Sequence, residues 1–286
     1  MNTNQDLLQR LLHLYPMEEL KNFFGVDGKI GDSIINIVQK NTSQAIIGFA
    51  SSFQQVTKQN IFIYELDKNF SKNVINNAFP LKIELESVNS GEYSFFCLPK
   101  VVYSVYLNTP IEIEDLYFYQ PVTIKIKNKT LVISYTKLVK NVSTYYPANR
   151  VARKSTEQNN EFITLNQILS FLKHTYTIVP LDLNKGVKFL WEKDVLDCRR
   201  IEADQALRTQ VNIMKGELTF KQQFPLEYPE IIKDPLNSVL WKYLLDDDEL
   251  CESFICDLSA GTINIPKFAK HSKQVENVIA KILTNN

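Results

Sequence analysis

Glycine and histidine are scarce in this 286-residue chain, and their scarcity disfavours several kinds of chemistry. Eight glycines are present, well below an average share of roughly 7%. They form neither the G-x-G-x-x-G nor the G-x-x-x-x-G-K-[ST] pattern whose backbone amides hold a phosphate. Nucleotide hydrolysis and dinucleotide chemistry are therefore poor candidates for the function of this chain.

Metal-binding patterns are also missing from the sequence. The three histidines, His13, His174 and His271, have no cysteine or second histidine at zinc-ligand spacing. The four cysteines are scattered: Cys97, Cys198, Cys251 and Cys256. We therefore predict no metal, no cofactor and no disulfide framework, and we expect the cysteines to be buried thiols in a reducing compartment.

Net charge and long apolar runs are absent as well. Lys plus Arg and Asp plus Glu both number 32, so any contact with nucleic acid must come from a local basic patch. No charged-then-apolar leader opens the chain, and no apolar run approaches the roughly 20 residues of a membrane span. The expectation is a soluble intracellular protein.

Apolar residues recur at helical spacing through residues 5–66, where the pattern predicts a small helical bundle. Leu7 to Leu14 form one helix, and Pro16 opens a second that ends near Gly25. Asp32-Ser33 is the predicted cap of a third helix, Ser43 starts a fourth, and Asn60–Leu66 is a candidate fifth helix.

From Leu81 the period changes to two, which predicts an antiparallel sheet. The predicted strands are 81–86, 93–98, 101–107, 122–127 and 130–135, with tight turns at 89–91 and 128–129. Thr164 is then a predicted helix cap, Tyr176–Leu183 a buried strand, and Gly186–Arg208 a long amphipathic helix.

The last part of the sequence predicts mixed structure. The expected elements are a strand over Val211–Phe220, a helix over Pro235–Leu245, a hairpin over Phe254–Ile265 and a helix over Lys267–Leu283. The whole pattern predicts an α+β fold in which a helical bundle (1–78) precedes a sheet domain with helices on one face (79–210) and a C-terminal α+β region (211–286).

Three stretches, in order along the chain, resemble the centromere protein N family of kinetochore proteins over roughly residues 5–210. They are Leu11–Leu20, Val142–Pro147, and Leu165–Leu169 followed by Ile178–Leu183. The resemblance implies an N-terminal pyrin-like (death-fold-like) domain that forms a basic groove with the sheet domain and binds the centromeric nucleosome. It also implies a nuclear location at the centromere, a heterodimer with a centromere protein L-like subunit, and no catalytic residue.

Residues that match basic positions of the family are the candidate DNA contacts, because nucleosomal DNA is bound through its phosphates. These residues are Arg150, Arg153, Lys154, Lys185, Lys188 and Lys29. The resemblance also gives Asp6 and Arg10, one turn apart on the first helix, as candidate histone contacts. The alternative for the Arg150–Lys154 cluster is that these are ordinary solvated side chains.

Other polar clusters carry no clear chemistry in the sequence. The run Asp246–Glu249 is interpreted as a solvated turn or as an acidic face for a basic partner, and Glu84 and Glu86 as solvent-facing strand residues. The strand at Val211–Phe220 and the hairpin at Phe254–Ile265 are candidate sheet edges for the partner subunit.

Two other functions stay open at this point. The second hypothesis is a non-catalytic accessory subunit of a bacterial defence complex or another multiprotein complex, located in the cytoplasm, which uses its helical N-terminal domain for protein contacts. An enzyme of unfamiliar type is the third.

Overall fold

A computed structural model describes residues 3–108, 111–138, 152–154, 160–203, 211–212 and 217–286 of the chain. These residues form helices and antiparallel sheets, which confirms the predicted α+β class. The structure contains a large sheet of eleven strands and a smaller sheet of three strands.

Four helices form the N-terminal bundle. They are α1 (Asn4–Leu12), α2 (Met17–Phe24), α3 (Ile30–Lys40) and α4 (Ser43–Ser52). The hydroxyl oxygens of Thr3 and Thr42 cap α1 and α4 by accepting a hydrogen bond from the amide three residues later. Gly25 ends α2 with a φ of 64°, a left-handed conformation that glycine adopts without strain. The cap predicted at Asp32-Ser33 is wrong, because α3 already begins at Ile30.

A three-stranded sheet packs against this bundle. Its strands are β4 (Lys100–Asn108), β5 (Ile111–Tyr119) and β8 (Ala152–Lys154), in the order β5-β4-β8. β5 was not predicted. Inward-facing side chains of β4 and β5 share one core with Leu8, Leu11 and Leu12 of α1 and with Phe49 of α4. Full burial of a leucine or phenylalanine contributes about 1.5–3 kcal/mol, so this core holds the bundle and the small sheet together.

The large sheet is built from strands spread along most of the chain. They are β1 (Gln59–Leu66), β2 (Ile83–Asn89), β3 (Glu92–Cys97), β6 (Val122–Lys127), β7 (Thr130–Thr136), β9 (Ile178–Pro180), β10 (Leu196–Ala203), β11 (Val211–Asn212), β12 (Leu236–Tyr243), β13 (Ser253–Asp257) and β14 (Thr262–Ile265). Their order is β11-β10-β12-β13-β14-β1-β7-β6-β3-β2, and β9 also pairs with β1. The predicted hairpins β2–β3, β6–β7 and β13–β14 are confirmed.

Strand β1 corrects the largest error in the N-terminal half. Asn60–Leu66, the candidate fifth helix, is extended and pairs with β7 and β14 near the middle of the large sheet. Ile61 and Ile63 are buried on one face, and Phe62 and Tyr64 on the other. A strand buried on both faces has no polar alternation, so its apolar run also fits a helix. The predicted helical region 1–78 thus contains a central strand.

Helices cover both faces of the large sheet, so the prediction of helices on one face is wrong. Helix α5 (Asn160–Lys173) packs on the face of Phe62 and Tyr64. Helices α6 (Asn184–Glu192) and α9 (Ser272–Thr284) pack on the face of Ile61 and Ile63. The remaining helices are short: α7 (Phe220–Gln223), α8 (Tyr228–Ile231), and 3-10 turns at Gln54–Val56 and Lys72–Val74.

Several predicted elements of the C-terminal half are wrong. The predicted helix Gly186–Arg208 is α6 followed by β10, and the predicted helix Pro235–Leu245 is β12. The predicted buried strand Tyr176–Leu183 contains only the three residues of β9, of which Val179 is 49% exposed. In Val211–Phe220 the two residues of β11 are extended, and Phe220 begins α7. Helix α5 starts four residues before the predicted cap at Thr164.

The sheet order also changes which strands lie at an edge. β13 and β14 lie inside the large sheet, between β12 and β1, so the hairpin Phe254–Ile265 is not an edge as predicted. β11, from the predicted strand Val211–Phe220, is at one end of the sheet, and β2 is at the other.

Candidate functional site

The three-stranded sheet carries the candidate basic site. Side chains on successive strand residues point to opposite faces. On β4 the odd-numbered residues from Val101 to Leu107 are buried against the bundle. The even-numbered residues form the outer face, where Tyr106 is 43% exposed and its register partner Ile113 of β5 is 63% exposed.

The strand β8 contains two residues of the predicted basic cluster and forms one edge of this sheet. Arg153 and Lys154 belong to β8, which pairs with the other edge of β4, so that Arg153 is in register with Tyr106 and Lys154 with Val105. Arg150 lies outside the described residues. β4 therefore lies between the basic strand β8 and the strand β5.

Lys185 and Lys188 lie elsewhere, on α6. The neighbouring Asn184 accepts a hydrogen bond from the amide of Leu236 at 2.8 Å, which places the start of α6 at the start of β12. Six strand spacings of about 4.8 Å, roughly 29 Å along the sheet, separate β12 from β3, whose Phe96 packs in the bundle core. The sequence placed both sets of basic residues in one groove, but nothing in the described contacts brings them together.

Lys188 is also a structural residue. Its ammonium donates to the carbonyl oxygen of Asp234 at 2.8 Å and tethers α6 to the turn before β12. Partial burial lowers the pKa of Lys188, while the carboxylates of Asp182, Asp234 and Glu192 oppose that shift. The positive charge of Lys188 is therefore largely balanced locally. Lys185 is exposed.

Lys29 stands alone between α2 and α3. Its side chain is exposed, and its carbonyl oxygen accepts the Ser33 amide at the start of α3. The bundle has four basic residues (Arg10, Lys21, Lys29, Lys40) and five acidic ones (Asp6, Glu18, Glu19, Asp27, Asp32). The bundle itself therefore offers no positive field for a phosphate backbone.

Asp6 and Arg10 have roles within the fold. Partial burial opposes ionisation of Asp6, but hydrogen bonds from the hydroxyl and amide of Thr3 hold its pKa below the usual range. Arg10 is only 4% exposed, and its guanidinium donates to the carbonyl oxygen of Tyr117 and lies 5.5 Å from the Phe118 ring centroid. This side chain therefore anchors α1 to β5, and its contact with a histone stays a prediction.

A buried polar network occupies the junction between the bundle and the large sheet. The amide nitrogen of Gln54 donates to the carbonyl oxygens of Pro121 and Ser134 at 3.3 and 3.2 Å, and its oxygen accepts from the Thr123 hydroxyl. Gln54 is 1% exposed. This described part of the junction is neutral and closed, whereas the resemblance to the centromere protein N family implied a basic groove between the two domains.

The acidic run Asp246–Glu249 is not simply a solvated turn. Lys270 pairs with Asp248, Lys281 pairs with Glu249 at 2.7 Å, and Gln274 donates to the carbonyl oxygen of Asp248 at 2.9 Å. The run therefore fastens the loop after β12 to α9. Lys270, Asp248 and Gln274 also line a cavity of about 380 Å³, whose three lysines are balanced by three acids.

The cysteines are all buried, which confirms the prediction of core thiols. Burial raises the pKa of Cys97 and of Cys251 to about 12, so neither thiol is an activated nucleophile at neutral pH. Among the described residues, no cluster of His, Cys, Asp and Glu side chains is arranged to hold a metal ion. In the same part of the chain, no helix has the length and hydropathy needed to cross a bilayer.

The outer-face residues Tyr106 and Ile113 were missed in the sequence. The signal was present, because Lys100, Val102, Ser104 and Tyr106 alternate with the fully apolar positions of β4. β5 has a second alternation, Ile-Glu-Ile-Glu, from Ile111.

No protein-family model matches this sequence, and no curated protein matches it either.

Proposed function

We propose that this chain is a non-catalytic adaptor subunit that binds nucleosomal DNA through the basic strand β8 and the segment leading into it. The observation that carries the proposal is the position of β8 at one edge of the small sheet. One face of this sheet packs on the helical bundle. The basic strand and the bundle thus belong to one packed unit, as expected of an adaptor that presents two binding elements together.

The charge of this segment supports phosphate binding. Residues 138–156 contain four basic side chains, Lys140, Arg150, Arg153 and Lys154, and no acidic one. Each Lys or Arg that neutralises a phosphate releases condensed counterions, which is the main source of sequence-independent affinity for DNA. Histone octamers themselves hold DNA mainly through its backbone, without base-specific contacts.

The finer assignments rest on the resemblance to the centromere protein N family. We propose that α1–α4 are a pyrin-like domain, that the chain acts at the centromere in the nucleus, and that residues 211–286 pair with a centromere protein L-like subunit. The arrangement of a four-helix bundle followed by an antiparallel sheet supports this assignment. The strand β11 at one end of the large sheet is the element on which a partner strand can add.

Recovery of bound proteins and DNA from native cells tests this function. The tagged chain is expected to recover histones with DNA and a kinetochore subunit, identified by mass spectrometry. A variant with Arg150→Ala, Arg153→Ala and Lys154→Ala should lose the histones and DNA while it keeps the subunit. The matched control, Lys82→Ala, Lys233→Ala and Lys273→Ala, removes the same charge from exposed lysines elsewhere and should behave as wild type. Equal recovery by both variants contradicts the proposal.

One observation favours the second candidate, an accessory subunit that uses its bundle for protein contacts. The bundle carries one more acid than base and exposes large apolar side chains: Phe23 (51%), Ile30 (46%) and Ile35 (42%). Exposed apolar residues on a helical surface are typical of protein–protein contacts. Recovery of a nuclease or an ATPase in place of histones supports this candidate. If Phe23→Ser abolishes that recovery, the helical bundle is the surface that contacts the partner.

A further inference from the structure

The cavity of about 380 Å³ lies between two loops at one end of the large sheet. One loop (244–252) follows β12, and the other (266–271) precedes α9. Leu250, Cys251 and Ile265 line the cavity and are buried, so they form an apolar floor. Small-molecule sites have volumes of roughly 300–1,000 Å³. This cavity is therefore large enough for a small ligand.

Two large apolar side chains at this cavity are exposed, one from each loop. Leu245 is 46% and Phe268 is 44% exposed. The ammonium of Lys58 lies 5.0 Å from the centroid of the Phe268 ring. Removal of apolar surface from water is favourable, so an apolar group in the cavity gains from contact with both side chains and with the floor.

The walls of the cavity are held in place by contacts between the two loops. Lys267 pairs with Glu252 at 3.0 Å, and Lys270 pairs with Asp248. Gln274, the first residue of α9 to line the cavity, donates to the carbonyl oxygen of Asp248 at 2.9 Å. Because these contacts already order both loops, a ligand does not have to order them on binding.

Two further charges at the cavity lack such a partner. Lys242 and Asp246 are exposed, and neither forms a hydrogen bond or an ion pair with any residue that the structure describes. The carboxylate of Asp197, in register with Lys242, attracts it, but this carboxylate pairs with Arg199 at 3.3 Å. One positive and one negative group are therefore available to a ligand at the same cavity.

We propose that this cavity binds a small zwitterion with an apolar body, whose carboxylate pairs with Lys242 and whose ammonium pairs with Asp246. A free amino acid with a large apolar side chain has this chemistry, and so does a short apolar peptide. The balance of three lysines and three acids carries the choice, because a ligand of one sign meets three like charges. The site lies outside the small sheet, so this activity goes beyond the proposed function and does not depend on it.

Isothermal titration calorimetry of the full chain tests the proposal with three probes. L-phenylalanine carries both charges, phenylpropionate lacks the ammonium, and phenethylamine lacks the carboxylate. L-phenylalanine should bind tighter than either analogue by about 5-fold, the upper end for an ion pair that solvent reaches. Lys242→Met should weaken L-phenylalanine and phenylpropionate by about 5-fold and leave phenethylamine unchanged. Asp246→Asn should weaken L-phenylalanine and phenethylamine by the same factor and leave phenylpropionate unchanged.

The unchanged probe in each case shows that the variant is folded. Lys29→Met and Glu227→Gln are the matched controls, since they remove exposed charges elsewhere and should bind all three probes as wild type. The dipeptide phenylalanyl-phenylalanine separates the two sources: tighter binding than L-phenylalanine identifies a short peptide, and weaker binding identifies a free amino acid. The proposal is overturned if wild type binds none of the probes, or if Lys242→Met or Asp246→Asn binds L-phenylalanine as tightly as wild type.

Discussion

Arg10 offers a direct test of whether the first helix uses its arginine inside the fold or for a partner. Replacement by alanine removes the hydrogen bond to the Tyr117 carbonyl oxygen and the contact with the Phe118 ring. A hydrogen bond from a charged donor contributes about 1.5–3 kcal/mol, and a desolvated cation–π contact contributes about 2 kcal/mol. The two share one side chain and are not additive, so we expect Arg10→Ala to lower the free energy of unfolding by about 3 kcal/mol.

Urea denaturation followed by far-ultraviolet circular dichroism measures this loss. The two tryptophans, Trp191 and Trp241, lie in the other core, so their fluorescence is a poor reporter of the bundle. Lys29→Ala is the control, since an exposed lysine should change the free energy of unfolding by no more than about 0.5 kcal/mol. Arg10→Lys keeps the charge without the planar fork and should lie between wild type and Arg10→Ala.

The result that refutes this reasoning is an Arg10→Ala protein as stable as Lys29→Ala. Such a result means that the guanidinium contributes nothing to the fold and leaves the residue available for a partner. A lower stability together with unchanged histone binding, after correction for the unfolded fraction, supports the structural role.

Three further predictions concern packing and titration. Gln54→Leu leaves buried polar partners unsatisfied and should cost about 2–4 kcal/mol of unfolding free energy in urea denaturation. Gly186→Ala should lower the thermal midpoint, because a Cβ there overlaps a carbonyl oxygen of α9, whereas Gly48→Ala meets nothing within 4 Å and should raise it. The ionised form of Asp6 is the stabilising one, so its contribution is complete above the unfolded-state pKa of about 3.9 and is lost as the pH falls through the lower folded-state pKa. The difference in unfolding free energy between wild type and Asp6→Asn should therefore shrink in acid denaturation series below about pH 3.9; a constant difference contradicts this.

The sequence predicted local elements correctly where the spacing of apolar residues and the residues suited to turns or caps indicate the same boundaries. The β2–β3 hairpin was predicted because alternating residues flank a turn, and the structure gives Ser90 and Gly91 positive φ values of 49° and 78°. Helices α1, α2 and α4 were predicted for the same kind of reason: an apolar stripe that begins or ends at a residue suited to capping.

The failures have a common physical cause, which is burial that does not follow simple alternation. In β12 the buried residues Leu236, Val239 and Tyr243 lie at positions i, i+3 and i+7, which is also the spacing of one helix face. In β10 an irregularity between Cys198 and Arg200 breaks the alternation in the same way. Neither strand was distinguishable from a helix until its partners were known.

The candidate site was predicted only in part. The density of positive charge around Arg153 and Lys154 is a property of the sequence, and it was visible there. The burial of Arg10 and the distance between α6 and β8 depend on how the layers pack, which no local pattern encodes. The exposed ring of Tyr106 became apparent only when β5, which was not predicted, gave the small sheet two faces.

The dependence of duplex DNA affinity on salt tests the central claim most directly. Each neutralised phosphate contributes about 0.9 to the slope of log K against log salt, so removing Arg150, Arg153 and Lys154 together should flatten the slope by about 2–3 units. The control that removes Lys82, Lys233 and Lys273 should keep the wild-type slope. A triple variant of the basic segment whose slope equals that of wild type contradicts the account.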